Sequence, residues 1–192
     1  MSDIKPFVIN FDPKTGECFD ALKPACRRVS DMAPQFSDAA AAERLSNGEN
    51  PVVYRFYSID LPEDPGMQLF GMTTLYPGKV GGEYFMTKGH FHTILDTAEA
   101  YYCLSGQGCM MMETPEGEVS CKEFCAGSAV YVPGRWSHRS INTGTEPLVF
   151  FFVFRADAGH DYGTIEEKGY RKLLVERDGK PALIDNPKWL GD

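Results

Sequence analysis

The sequence predicts an all-β fold, a sandwich or barrel of antiparallel strands, and three observations predict it. From residue 51 onward, short runs rich in β-branched and aromatic residues recur: "PVVYRFYSI", "QLFGMTTLY", "GEYFMT", "EAYYCLSG", "GCMMMETP", "EVSCKEF", "SAVYVP", "SHRSINTG" and "PLVFFFVF". The breaks between them, such as "YPGKVGG", "TPEGE" and "NTGTEP", supply Pro to preset φ and Gly to accept positive φ, which suits hairpins. Helix signals mark one short stretch, "SDAAAAERLSNG", with Ser37 as its cap, an alanine run, and Asn47-Gly48 as its stop.

In chain order, residues 1–50 read as an N-terminal arm holding that helix, and residues 51–155 as the β-barrel core. Residues 156–192 read as a long connection, "ADAGHDYGTIEEKGY", followed by a final hairpin around "RDGK". At 192 residues this is a single domain, long enough to bury about two thirds of its unfolded surface. In "VFFFVF", strand alternation turns Phe150, Phe152 and Phe154 inward and leaves the other set for a dimer interface.

Hydrophobic residues at 43% and charged residues at 24% are ordinary for a globular protein, and no apolar run approaches the roughly 18 residues of a membrane span. The start, "MSDIKPFVINFDPKTGECFD", has neither a basic opening with a long apolar stretch nor a cleavage site, so a cytoplasmic location is expected. A formal charge of -8 disfavours nucleic acid, which needs clustered Lys and Arg. It leaves room for a small anion, because a few amides and one cation bind a phosphate. The six cysteines read as free thiols, and Cys121 with Cys125 lacks the second pair that a structural zinc site needs.

The chemistry concentrates in "KGHFHTILDTAEAYYCLSG", residues 88–106. Side chains two apart on a strand share a face, so His90 and His92 would meet one point. Taken alone, such a pair is as readily two polar residues on a solvent face. A hairpin strand carrying Glu99 would add a carboxylate, and "WSHRSIN" would add His138. Three imidazoles and one carboxylate suit Mn, Fe, Co, Ni or Zn and leave positions for water or substrate.

The spacing then carries a resemblance. "GSAVYVPGRWSHRSIN" places Gly127, Pro133, His138 and Asn142 as in the second box of the cupin superfamily, with Arg135 where that box has Gly. The first stretch resembles the first box, except that six residues separate His92 from Glu99. Together with "RRVSDM", "TLYPGKVGGEYFMTKGHFH", "AEAYYCLSGQG", "TPEGE" and "ADAGHDYGTIEEKGY", the chain resembles the cupin-type (archaeal-type) glucose-6-phosphate isomerases over nearly its whole length.

That resemblance implies a cupin barrel (double-stranded β-helix or jelly roll) with a short N-terminal helix and extra terminal strands. It also implies a homodimer that interconverts glucose 6-phosphate and fructose 6-phosphate with one divalent metal per subunit, Fe, Mn, Ni or Zn. By motif position His90, His92, Glu99 and His138 would be the ligands, and Thr73, Thr87, Gly89, Tyr101 and His160 would meet the sugar phosphate. Glu99, His160 and Tyr162 would be catalytic, with Glu99 shuttling a proton through a cis-enediol. Two positions commonly tyrosine in the family are Arg135 and Phe154 here. Lys88 and Arg155 are expected in solvated or salt-bridged surface roles, Lys88 pointing away from the cavity if Thr87 faces it. A cupin isomerase or epimerase for another sugar phosphate, such as mannose 6-phosphate, and a metal-free sugar-binding cupin are the alternatives.

Overall fold

Antiparallel pairing organises the chain, as the alternating runs require. The computed structural model describes residues 4–189. Its strands are β1 (Ala25–Arg28), β2 (Val52–Ser58), β3 (Gln68–Leu75), β4 (Lys79–Val80), β5 (Glu83–Tyr84), β6 (Glu99–Ser105) and β7 (Gln107–Glu113). They continue as β8 (Val119–Cys125), β9 (Ala129–Val132), β10 (Ser137–Asn142), β11 (Leu148–Arg155), β12 (Lys172–Arg177) and β13 (Lys180–Asp185). Among the described residues three α-helices accompany them: α1 (Val29–Met32), α2 (Ala39–Asn47) and α3 (Gly163–Lys168). None is long and apolar enough to cross a membrane.

A six-stranded sheet in the order β1-β2-β3-β11-β6-β9 packs against a three-stranded sheet, β10-β7-β8. The core lies between them: Phe124 of β8 meets Phe150 of β11 and Tyr101 of β6 at ring-centroid distances of 5.4 and 6.4 Å. Each fully buried aromatic such as Phe124 or Phe150 contributes on the order of 2–3 kcal/mol by leaving water. This is the all-β architecture expected, with antiparallel sheets enclosing one core. A third sheet, β13-β12-β5-β4, contains the expected terminal hairpin, whose turn residues Asp178 and Gly179 both have positive φ.

Four local expectations change. The cap of α2 is Asp38, whose carboxylate accepts from the Ala41 N–H. Ser37 instead gives both its N–H and hydroxyl to the buried Glu83 carboxylate, each at 2.9 Å. The long connection contains α3. Cys109 and Cys121 are bonded as a disulfide across β7 and β8, while Cys18, Cys26, Cys103 and Cys125 are free. Residues 90–92 are extended but belong to no ladder: His90 bridges His138, and Phe91 bridges Asp161.

Candidate metal centre and ligand cavity

Two bridges hold the histidine segment where alternation can work. His138 and His90 exchange backbone bonds of 3.1 and 3.4 Å, and Phe91 and Asp161 exchange bonds of 2.8 and 3.1 Å. Phe91 turns into the core, so its two neighbours turn the other way. The bridge sets His138 on β10 beside them, and β6 carries Glu99 to the same point. One donor atom from each of His90, His92, Glu99 and His138 lies within 4.8 Å of the others.

Hydrogen bonds fix what each imidazole presents. His92 Nδ1 lies 3.1 Å from the Thr97 carbonyl, and His138 Nδ1 lies 3.2 Å from the Trp136 carbonyl. A carbonyl only accepts, so both Nδ1 atoms carry the proton, and both Nε2 atoms of the neutral rings offer lone pairs. Those lone pairs face Glu99 Oε2 at 3.2 and 2.9 Å. Acceptor then faces acceptor, and a cation or an added proton has to sit among them. His90 Nε2, 3.9 Å from the same oxygen, is buried with no hydrogen-bond partner. Donors each about 2.1 Å from a shared ion stand about 3–4 Å apart, so the four groups fit a divalent metal.

Electrostatics agree. Burial acts to raise the Glu99 pKa, but when an added proton lets His138 and His92 donate to it, those bonds and the surrounding imidazoles hold it well below the usual carboxylate range. Burial, then the proximity of His138, pulls His90 well below the ordinary imidazole value. Tyr101, beside Glu99 on β6, is pushed well above the usual phenol range by burial and then by that carboxylate, so it stays protonated.

The cavity in front of these groups, partly open to solvent, has an empty volume of about 690 Å³. Nine of the ten residues singled out in the sequence line it; His92 is buried behind its wall, where it reaches Glu99. Thr73 comes from β3, Tyr101 from β6, and Thr87 and Gly89 from the segment before the histidines. His160 and Tyr162, from the loop entering α3, stack on each other at 5.7 Å, and His160 packs edge-on against Phe154 at 5.0 Å. Burial lowers the His160 pKa, so its ring is neutral near pH 7.

Lys88 is salt-bridged as expected, but it does not point away from the cavity. It lies at the cavity rim, with Nζ 2.5 Å from Glu166 and 5.7 Å from the centre of the Tyr162 ring. Strand alternation does not apply there because residues 87–89 belong to no strand, and Gly89, at φ 76, turns the backbone directly after Lys88. Arg155 pairs with Asp157 at the surface.

Five lining residues escaped the sequence reading: Tyr54, Phe56, Ser58, Arg139 and Ser140. Burial pushes the Tyr54 phenol up to about 12. The Ser140 N–H donates to Thr87 Oγ1 at 3.0 Å and its carbonyl accepts from the Thr87 N–H at 2.9 Å, which fixes that threonine. β10 reads SHRSIN, mostly polar in sequence yet buried at all six positions, so its sequence carried no signal for Arg139.

Known proteins bear on this arrangement. The family model described as "Glucose-6-phosphate isomerase (GPI)" matches residues 26–188. A glucose-6-phosphate isomerase of Thermococcus litoralis is 49% identical over 185 residues, covering 96% of this chain and 97% of the relative. One of Pyrococcus furiosus is 46% identical with the same coverage, and a putative one of Rhizobium meliloti is 39% identical over 96% of this chain and 88% of its own. Among solved structures, a mutant Bacillus subtilis oxalate decarboxylase is 28% identical at a TM-score of 0.45, over 56% of this chain and 27% of that one.

Proposed function

Because the chain belongs to the glucose-6-phosphate isomerase family, we propose that it interconverts glucose 6-phosphate and fructose 6-phosphate in this cavity, with one divalent metal held by His90, His92, Glu99 and His138. The observation that carries the reading is the set of imidazole lone pairs turned on one buried carboxylate, in a cavity that also holds Thr73, Thr87 and Gly89. Fe, Mn, Ni and Zn all suit three nitrogens and one oxygen.

When bound, the metal supplies Lewis-acid polarisation of the sugar oxygens, an effect worth several kcal/mol toward a developing enediolate. Glu99, held ionised, takes the proton from C2 of the open-chain aldose and returns it to C1 through a cis-enediol, while the O2 hydroxyl proton passes to O1. Tyr101 keeps its proton beside Glu99 and fixes that carboxylate. Neutral His160, stacked on Tyr162, passes a proton at the ring oxygen during ring opening. Thr73, Thr87 and the Gly89 amide hold the phosphate, and Phe150, Phe152 and Phe154 keep water from the sugar side. The chain works as a homodimer, a second copy covering the outer side of the large sheet, where Phe70 stacks between Phe7 and Phe151 at 6.4 and 5.6 Å.

Glucose 6-phosphate formed from fructose 6-phosphate is measured by coupling to a dehydrogenase, before and after EDTA. Activity that disappears with EDTA and returns with metal is expected. No activity with Mn, Fe, Ni or Zn each supplied sinks the reading. Running the reaction in deuterated water tests the proton route: product free of solvent deuterium at partial conversion favours hydride transfer from C2 to C1 instead.

A further inference from the structure

Arg139 is 2% exposed, and among the described residues no carboxylate lies in contact with its guanidinium. Its donors go to Met86 Sδ at 2.8 Å, Gln35 Oε1 at 3.2 Å and the Lys88 carbonyl at 2.6 Å, and its face covers the Tyr170 ring at 4.1 Å. Its Nε has no partner. The acids that act on it from a distance are engaged elsewhere, Glu83 by Ser37 and Glu113 by Arg171. A guanidinium taken out of water without a counter-ion is costly, and such a charge persists where something else supplies the anion.

The placement says which anion. Arg139 lines the cavity with Thr87, Lys88 and Gly89. The 88–89 peptide is trans, so a Lys88 carbonyl bonded to Arg139 turns the Gly89 N–H to the opposite side. That N–H has no acceptor among the described residues. A Cβ at Gly89 would meet Tyr170 Oη at 2.7 Å and Arg139 Nε at 3.1 Å, so the guanidinium packs directly beneath this turn.

We propose that Arg139 is the positioning residue of the phosphate subsite: its charge is the counter-charge for the substrate's phosphate dianion, and its bond to the Lys88 carbonyl aims the Gly89 amide at it. The proposal rests on the isomerase reading and is separable from it by experiment. In Arg139→Met, KM for fructose 6-phosphate and the inhibition constant of inorganic phosphate both rise about tenfold or more, while kcat per bound metal stays within about threefold. A purely structural arginine lowers the amount of active enzyme and leaves KM alone.

A second variant covers the case in which that protein does not fold. Gln35→Glu places a carboxylate on the guanidinium from the far side and neutralises it from within. Tm rises, and KM and the phosphate inhibition constant rise together by about threefold to tenfold. If both constants stay within about twofold of wild type in Gln35→Glu, the proposal is overturned and the isomerase reading stands. Wild-type protein without activity overturns the isomerase reading first.

Discussion

His138 and Arg139 are consecutive on β10, yet they leave the two ends of one cavity incomplete in opposite senses. At the first end, lone pairs of His92 and His138 face an ionised carboxylate and require a cation. At the second, a buried guanidinium with no carboxylate in contact requires an anion. Buried polar groups are normally paired within the protein, so a cavity unpaired with both signs is built for two partners. A metal answers one end and a phosphate the other. The sugar carbons between them are placed by both, which is how a site fixes a flexible substrate for proton transfer.

The change expected to do most damage breaks only the metal end. Glu99→Gln removes the charge that balances the ion and the group that moves the proton, so kcat should fall by about a thousandfold or more. Metal content per subunit should fall with it, while the affinity for inorganic phosphate stays near wild type. Loss of both affinities together, read by metal analysis and phosphate titration, would show that the ends are one network and not two.

Acid should also act on the metal end alone. The folded-state pKa of His90 lies below its ordinary 6.5, so between those values the unfolded chain binds more protons than the native one. Stability from this group is therefore present above about 6.5 and is lost as pH falls through the folded value. Glu99, also lowered, adds a second loss that begins below about 4.5. Arg139 does not titrate there. Thermal melts of EDTA-treated protein from pH 8 to 4 should show Tm falling from about pH 6.5 downward, and activity at pH 4.5 should be down by about a hundredfold through loss of metal. A flat Tm across that interval contradicts buried neutral imidazoles.

The two ends also differ in how far the sequence discloses them. All four residues of the metal end stand in boxes whose spacing can be counted, and alternation alone puts His90 and His92 on one side. Arg139 could not be found that way, because a charge on a strand reads as facing solvent. Its burial is decided by residues far off in sequence: Gln35 from the N-terminal arm and Tyr170 after α3 close over β10. Lys88 was misoriented because residues 87–89 belong to no strand, so alternation does not orient them. Of the elements, the nine β-rich runs and the last hairpin were legible. The two-residue β4 and the four- and six-residue α1 and α3 were not, being too short to carry a period.

Gly89→Ala tests the second end directly. At φ 76, with Tyr170 Oη 2.7 Å from the new Cβ, alanine is strained and displaces the turn from Arg139. We expect KM for fructose 6-phosphate to rise about tenfold or more and stability to drop by about 1–3 kcal/mol, measured by coupled assay and denaturant unfolding. Metal content should not change, although His90 is the next residue. If metal is lost as well, the turn serves both ends and the separation between them fails.

The smallest effect belongs to Arg135, which stands where the cupin box has Gly and keeps the conformation Gly would have, at φ 72. Arg135→Gly removes left-handed strain of about 1–2 kcal/mol and returns about 0.4–1 kcal/mol of backbone freedom to the unfolded chain. The exposed ion pair with Glu116 that is also lost is screened by water and adds little. The net change should leave Tm within about 3 °C of wild type. The Arg135 N–H still binds the Leu95 carbonyl at 2.6 Å, so the turn entering β10 keeps its path. Both ends hang from that strand, through His138 and Arg139. Metal content and KM should therefore stay within about twofold, and a larger shift in both would mean that strain at this turn sets the position of the two ends together.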